Sequence, residues 1–146
     1  MSSKVQTSLK RSGLRLHAAR GHSVVRQTLK RFAVWLRTRF EFPIRVPVYL
    51  LSRRYVITQF GQRVSASFFA PWSRDVEPYI RIATGDYSEL RRARGRDHAL
   101  ASFVFSFAHE VIHYQQWLAT GRVSERGVVR KAQSILRDYC QTVDHP

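Results

Sequence analysis

His109-Glu110-Val111-Ile112-His113 is the stretch of this chain whose residue types and spacing could perform chemistry. On an α-helix a four-residue step turns about 400° and rises about 6 Å, so both imidazoles leave one face at a separation that a single metal ion bridges. Glu110 lies about 100° round from His109, beside such a metal rather than on it. There a carboxylate can accept a proton from water and later return it to a leaving group. Zinc suits two imidazoles, and catalytic zinc commonly takes three protein ligands and keeps an open position. The pattern points to a hydrolytic centre.

A helix must carry this pentapeptide, and the periodicity predicts one. Leu100, Phe103, Phe107, Val111 and Tyr114 recur at the helical interval, Asp97 can cap the start, and Gly121 stops the run after Thr120. Ser124 has the chemistry of an N-cap for a further helix with Val128, Ala132, Ile135, Leu136 and Tyr139 on its apolar side. Tyr87 to Arg94 reads as a short helix ended by Gly95. Upstream the period is that of strands. Pro43 and Pro47 bracket extended chain, and Ile44 to Leu50 reads as an edge strand because Pro lacks the ladder donor. Arg54 to Phe60 and Arg63 to Phe69 form an expected hairpin about Gly61-Gln62, and Tyr79 to Thr84 a short strand with Ile80 and Ile82 inward. From His22 to Phe40, the spacing of Val25, Leu29, Phe32 and Leu36 marks an amphipathic helix with a cationic outer side.

Composition bounds the possibilities. The 146 residues suit one compact domain, and the apolar stretch Ala99 to Ala108 is far short of the roughly 18 to 20 residues of a membrane span. The single thiol, Cys140, excludes an internal disulfide and a thiol-rich zinc knuckle, and is compatible with a reducing compartment such as the cytoplasm. Of the formal net charge of +15, residues 1–40 supply +10 with no acidic residue, leaving +5 for the rest. This break near Glu41 separates a basic arm, residues 1–41, from a body, residues 42–146. It predicts attraction to polyanions. Met1 to Gly21 is polar and without an apolar segment, which excludes a secretory signal and suggests disorder; an organellar transit peptide has the same composition.

The string Phe107-Ala108-His109-Glu110-Val111-Ile112-His113-Tyr114-Gln115-Gln116-Trp117, preceded by Ile82-Ala83-Thr84-Gly85-Asp86-Tyr87, resembles the small zincin-type metallopeptidases, nearest to the SprT-like branch and its short bacterial relatives. The likeness covers about residues 42–140. It implies that His109 and His113 are zinc ligands, that Glu110 is the general base, and that Tyr79 to Thr84 is the sheet edge beside the cleft. Zincins take a third ligand from downstream. Position 119, where a metzincin has its third His, is Ala119, so a carboxylate must serve. Glu125, just past the Gly121 turn, is either that ligand or an acidic residue in a first helical turn, favoured there by the helix dipole. Asp138 is the fallback, though a helix pair turning near Gly121 places it far from His113. His98 is about 16 Å from His109 along the axis, out of reach. Tyr114 could stabilise an oxyanion but sits on the apolar stripe. The Arg91, Arg92, Arg94 and Arg96 cluster reads as a solvated surface.

The expected fold is a small α+β zincin-like domain: a short antiparallel or mixed sheet, an active-site helix, a bracing C-terminal helix, and a basic N-terminal helical arm. The expected function is zinc-dependent hydrolysis of a peptide or protein substrate. The alternative is a non-catalytic polyanion-binding module in which the arm contacts nucleic acid without sequence specificity and the histidines are structural.

Overall fold

The computed structural model describes residues 11–143, and the chain is an α+β protein with four helices and a small mixed sheet among them. Strand β1 is Leu14–His17 and helix α1 is Ser23–Arg39. Strand β2 is Val46–Leu51, followed by β3 (Val56–Ile57), β4 (Arg63–Val64), β5 (Ala66–Phe69) and β6 (Tyr79–Ala83). Helices α2 (Tyr87–Arg94), α3 (Arg96–Thr120) and α4 (Val128–Cys140) complete the chain. The main sheet runs β1-β2-β6-β5, with β1, β2 and β6 parallel and β5 antiparallel to β6; β3 and β4 form a separate antiparallel ribbon.

Alternation along the strands sends Leu14, Val48, Leu50, Ile80 and Ile82 to one face, where the helices cover them. Val25, Leu29, Phe32 and Leu36 of α1 enter that core together with Leu100, Phe103, Phe107 and Val111 of α3 and Val128, Ala132 and Tyr139 of α4. The helical periods read from the sequence therefore stand. α3 ends at Thr120, and Gly121 closes it in the left-handed region at φ 76°, its N–H returning to the Trp117 carbonyl.

The sheet departs from expectation in three places. Leu14–His17, within the stretch expected to be disordered, is a strand, and its α1 neighbour packs on the same core as the body, so residues 14–41 are not an appendage. Residues 1–10 of the expected arm lie outside the described part. Second, β2 is interior rather than at an edge. Val46 donates to the Gly13 carbonyl, so the next position, Pro47, faces the β6 side, where pairing begins only at Val48 and no donor is missed. Third, Tyr79–Ala83 is also interior, and the edge is β5. The expected hairpin is a two-residue ribbon, Val56 opposite Val64 and Ile57 opposite Arg63. The second run divides at Ser65 so that its remainder joins the main sheet.

Close approach fixes the β6–α2 corner. A Cβ on Gly85 would lie 2.5 Å from the Ser52 carbonyl oxygen, so a side chain there requires the backbone to shift. Beside it the buried Thr84 hydroxyl accepts from the His22 amide and donates to the Leu51 carbonyl, tying the start of α1 to two strands.

Candidate functional site

His109 and His113 project from one face of α3 with ring centroids 4.9 Å apart, as their four-residue spacing dictates. After Gly121 the chain turns back, and residues 122–127 pass alongside the last turns of α3. Gln116 holds this return: its Oε1 accepts from the Ser124 amide and its Nε2 donates to the Ser124 carbonyl, each at 3.0 Å. Glu125, the next residue, is thereby delivered to both rings. Its Oε1 lies 2.9 Å from His113 Nε2 and its Oε2 3.2 Å from His109 Nε2.

The double grip on Ser124 has an electrostatic consequence. It orients the Gln116 amide, so the atom facing His113 Nδ1 at 3.0 Å is an acceptor oxygen and Nδ1 must be the donor. In the neutral ring Nε2 then carries a lone pair aimed at a carboxylate. Two acceptors at 2.9 Å need a cation between them, either a proton or a metal ion. One ligand atom from each of His109, His113 and Glu125 falls within 4.8 Å of the others. The observed 2.9 and 3.2 Å are close to the roughly 3.3 Å between ligands around a tetrahedral zinc with bonds of about 2.0 to 2.1 Å. The donor set of two imidazoles and one carboxylate fits zinc.

Glu110 stands one position round, 6% exposed and lining the same cleft. Burial, and secondarily the Glu125 charge, push its carboxyl up to about 8, while burial and the neighbouring His113 lower His109 below the usual histidine range. A buried carboxyl whose value is raised on folding contributes stability below its unfolded value of 4.5, and that stability is lost as pH rises to about 8. The metal-free protein, kept in chelator, should therefore lose on the order of 4 kcal/mol from this group across that range. Glu110→Gln should not, so thermal melts of the two should diverge progressively from pH 5 to pH 8. Parallel curves would show that Glu110 is not buried as a carboxyl.

The cleft, about 450 Å³, is bounded by the edge strand through Ser65, Ala66, Ser67 and Phe68, by Thr58 and Gln62 of the ribbon turn, and by Phe105 and Val123. The edge beside the cleft is thus β5, not Tyr79–Ala83. Of the other residues weighed from the sequence, Tyr114 hydrogen-bonds both the N–H and the carbonyl of Ile44 and tethers the segment before β2, away from any oxyanion role. His98 and Asp138 are exposed and outside the cluster, and Cys140 is an exposed thiol at the end of α4. Ser124 does not cap α4, which begins after Gly127; its backbone serves the Gln116 clamp instead. Gln116 and β5 carry positions that the sequence reading did not assign. The signal for Gln116 was its place three residues after His113, one turn along the same face. Compared with protein-family models, curated proteins and solved structures, the chain matches none.

Proposed function

We propose that this chain is a zinc-dependent peptidase of the zincin type, with His109, His113 and Glu125 as metal ligands and Glu110 as general base. The observation that carries the reading is the convergence of two imidazole nitrogens and a carboxylate at 2.9 and 3.2 Å, with Gln116 fixing His113 so that Nε2 is the ligand atom. Bound there, zinc supplies a Lewis acid that polarises a carbonyl and acidifies water. Gln116 sets the tautomer of His113 and anchors the loop that presents Glu125. Glu110, facing the cleft, takes the proton from the attacking water and passes it to the leaving amine. A positive charge beside it lowers its raised value toward the working pH of a general base.

The substrate is an extended peptide. β5 pairs with β6 along one side only, and its other side borders the cleft, so its free N–H and C=O groups can add a strand. Half-buried Ala66 and Phe68, with Phe105 and Val123, give an apolar floor for alternate substrate side chains.

Glu110→Gln tests the assignment. It should retain zinc and fold and lower peptide hydrolysis about 10²- to 10⁴-fold, because the amide cannot accept the proton of water. Mass spectrometry of a digested peptide library reads the result. Equal cleavage by mutant and wild type removes Glu110 from the chemistry, and no cleavage by wild type removes the peptidase reading.

A further inference from the structure

The helices cover one face of the main sheet; on the other, which is partly open to solvent, a different set of side chains lines up. Register places His17, Tyr49, Arg81 and Ser67 side by side across β1, β2, β6 and β5. The same pairing puts Phe69 opposite Tyr79, and Arg15 opposite Pro47. The rings touch in sequence: His17 stacks on Tyr49 at 4.9 Å, Tyr49 meets Tyr79 at 6.2 Å, and Tyr79 meets Phe69 at 5.0 Å. Four rings thus cross all four strands, with Tyr49 39% and Phe69 43% exposed.

Cations border this ladder. The Arg81 guanidinium lies 5.8 Å from the Tyr79 ring centre and forms no ion pair among the described residues. Arg11, Arg15 and Arg45 line one recess at the β1 edge, and among the described residues only Arg45 has a carboxylate near it, Glu77 at 3.5 Å. Cross-strand aromatic pairs stabilise a sheet by themselves. That account does not explain a band of half-exposed rings beside Arg15 and Arg81, neither of which meets a carboxylate among the described residues; the one hydrogen bond of the Arg81 side chain is a long one, 3.4 Å, to the Ile57 carbonyl.

We infer that the open sheet face binds single-stranded nucleic acid, unpaired bases stacking on Tyr49, Tyr79 and Phe69 while Arg15 and Arg81 contact phosphates. Four-stranded sheets that present aromatic rings take up unpaired bases in this way, because every base has a π-face and a single strand leaves it accessible. Within a duplex the base faces are covered by their neighbours, so the ladder discriminates strand state, not sequence. The net charge of +15 supplies the long-range attraction. The surface shares strand β5 with the cleft, but none of Tyr49, Tyr79, Phe69, Arg15 and Arg81 lines that cleft, so the proposal does not depend on the metal site.

Fluorescein-labelled oligo-dT and oligo-U of about 12 nucleotides and a duplex of the same length, titrated with the full chain, test this. The single strands should bind more tightly than the duplex. Tyr49→Leu and Phe69→Leu, each checked by melting, should weaken single-strand binding about tenfold and leave the duplex unchanged, while Tyr49→Phe and His109→Ala bind as wild type. Photocrosslinking of a thiouridine-containing strand gives a readout independent of any variant and should label peptides containing Tyr49, Tyr79 or Phe69. Crosslinks confined to residues 1–10, unchanged binding by the ring-less variants, or equal affinity for duplex would overturn the proposal. So would the same ring dependence for phosphatidylserine vesicles, which would make the face a membrane-binding one.

Discussion

Purified with zinc supplied, the full chain is expected to hold about one zinc per chain, and His109→Ala or His113→Ala to hold none after dialysis. Each substitution leaves one imidazole and one carboxylate, and the lone carboxylate is 75% exposed and competes with water for its place. Glu125→Gln keeps both imidazoles and should weaken zinc less. Gln116→Ala removes no ligand atom, but it frees His113 Nδ1 and the Ser124 backbone together; loss of such an outer partner typically costs 10- to 100-fold in affinity. Burial and the neighbouring His113 hold His109 below the ordinary histidine range, which favours the neutral, metal-binding form of the ring. Elemental analysis and competition with a chromophoric chelator read these outcomes. A wild-type chain that binds no zinc would leave His109, His113 and Glu125 as a proton-bridged cluster and end the peptidase reading.

The parts of the site that could be read from the sequence are those set by local geometry. The 25 residues of α3 carry their own period, and His109, Glu110 and His113 are positioned by helical rotation alone. Glu125 was half legible. Its distance past Gly121 allows contact with His113, but whether it makes that contact depends on the Gln116 clamp, a tertiary hydrogen-bond pair that no periodicity announces. Strand order was not legible for the same reason. Ala66–Phe69 and Tyr79–Ala83 are both short runs, and which of them is the edge depends on β2 pairing with β6, 32 residues away in register at Val48 and Ile80. β1 was hidden differently. In Leu14-Arg15-Leu16-His17 the period-two pattern is only four residues long and lies in a basic stretch, so composition outweighed alternation.

A chain beginning at Glu41 is expected not to fold, despite the change in charge at that point. Leu14, Val25, Leu29, Phe32 and Leu36 all lie before it and are at most 1% exposed. At about 2 kcal/mol for each buried side chain, their removal withdraws about 10 kcal/mol, comparable with the roughly 5 to 15 kcal/mol that stabilises a whole domain. The deletion also strips β1 from β2, turning an interior parallel strand into a bare edge open to pairing with other chains, and takes from Phe42 its carbonyl's bond to the Gly13 amide. Thr84 loses the His22 donor at the corner before α2. Removing only residues 1–10 spares each of these contacts and takes away Lys4 and Lys10, so that chain should melt near the full-length value. Circular dichroism melts of the three chains check the contrast, and a cooperative transition in the chain from Glu41 would show that residues 42–146 are a domain by themselves. Without one, the cations of residues 11–40 belong to the folded body, and their attraction for polyanions must be tested by substitution at its surface rather than by deletion.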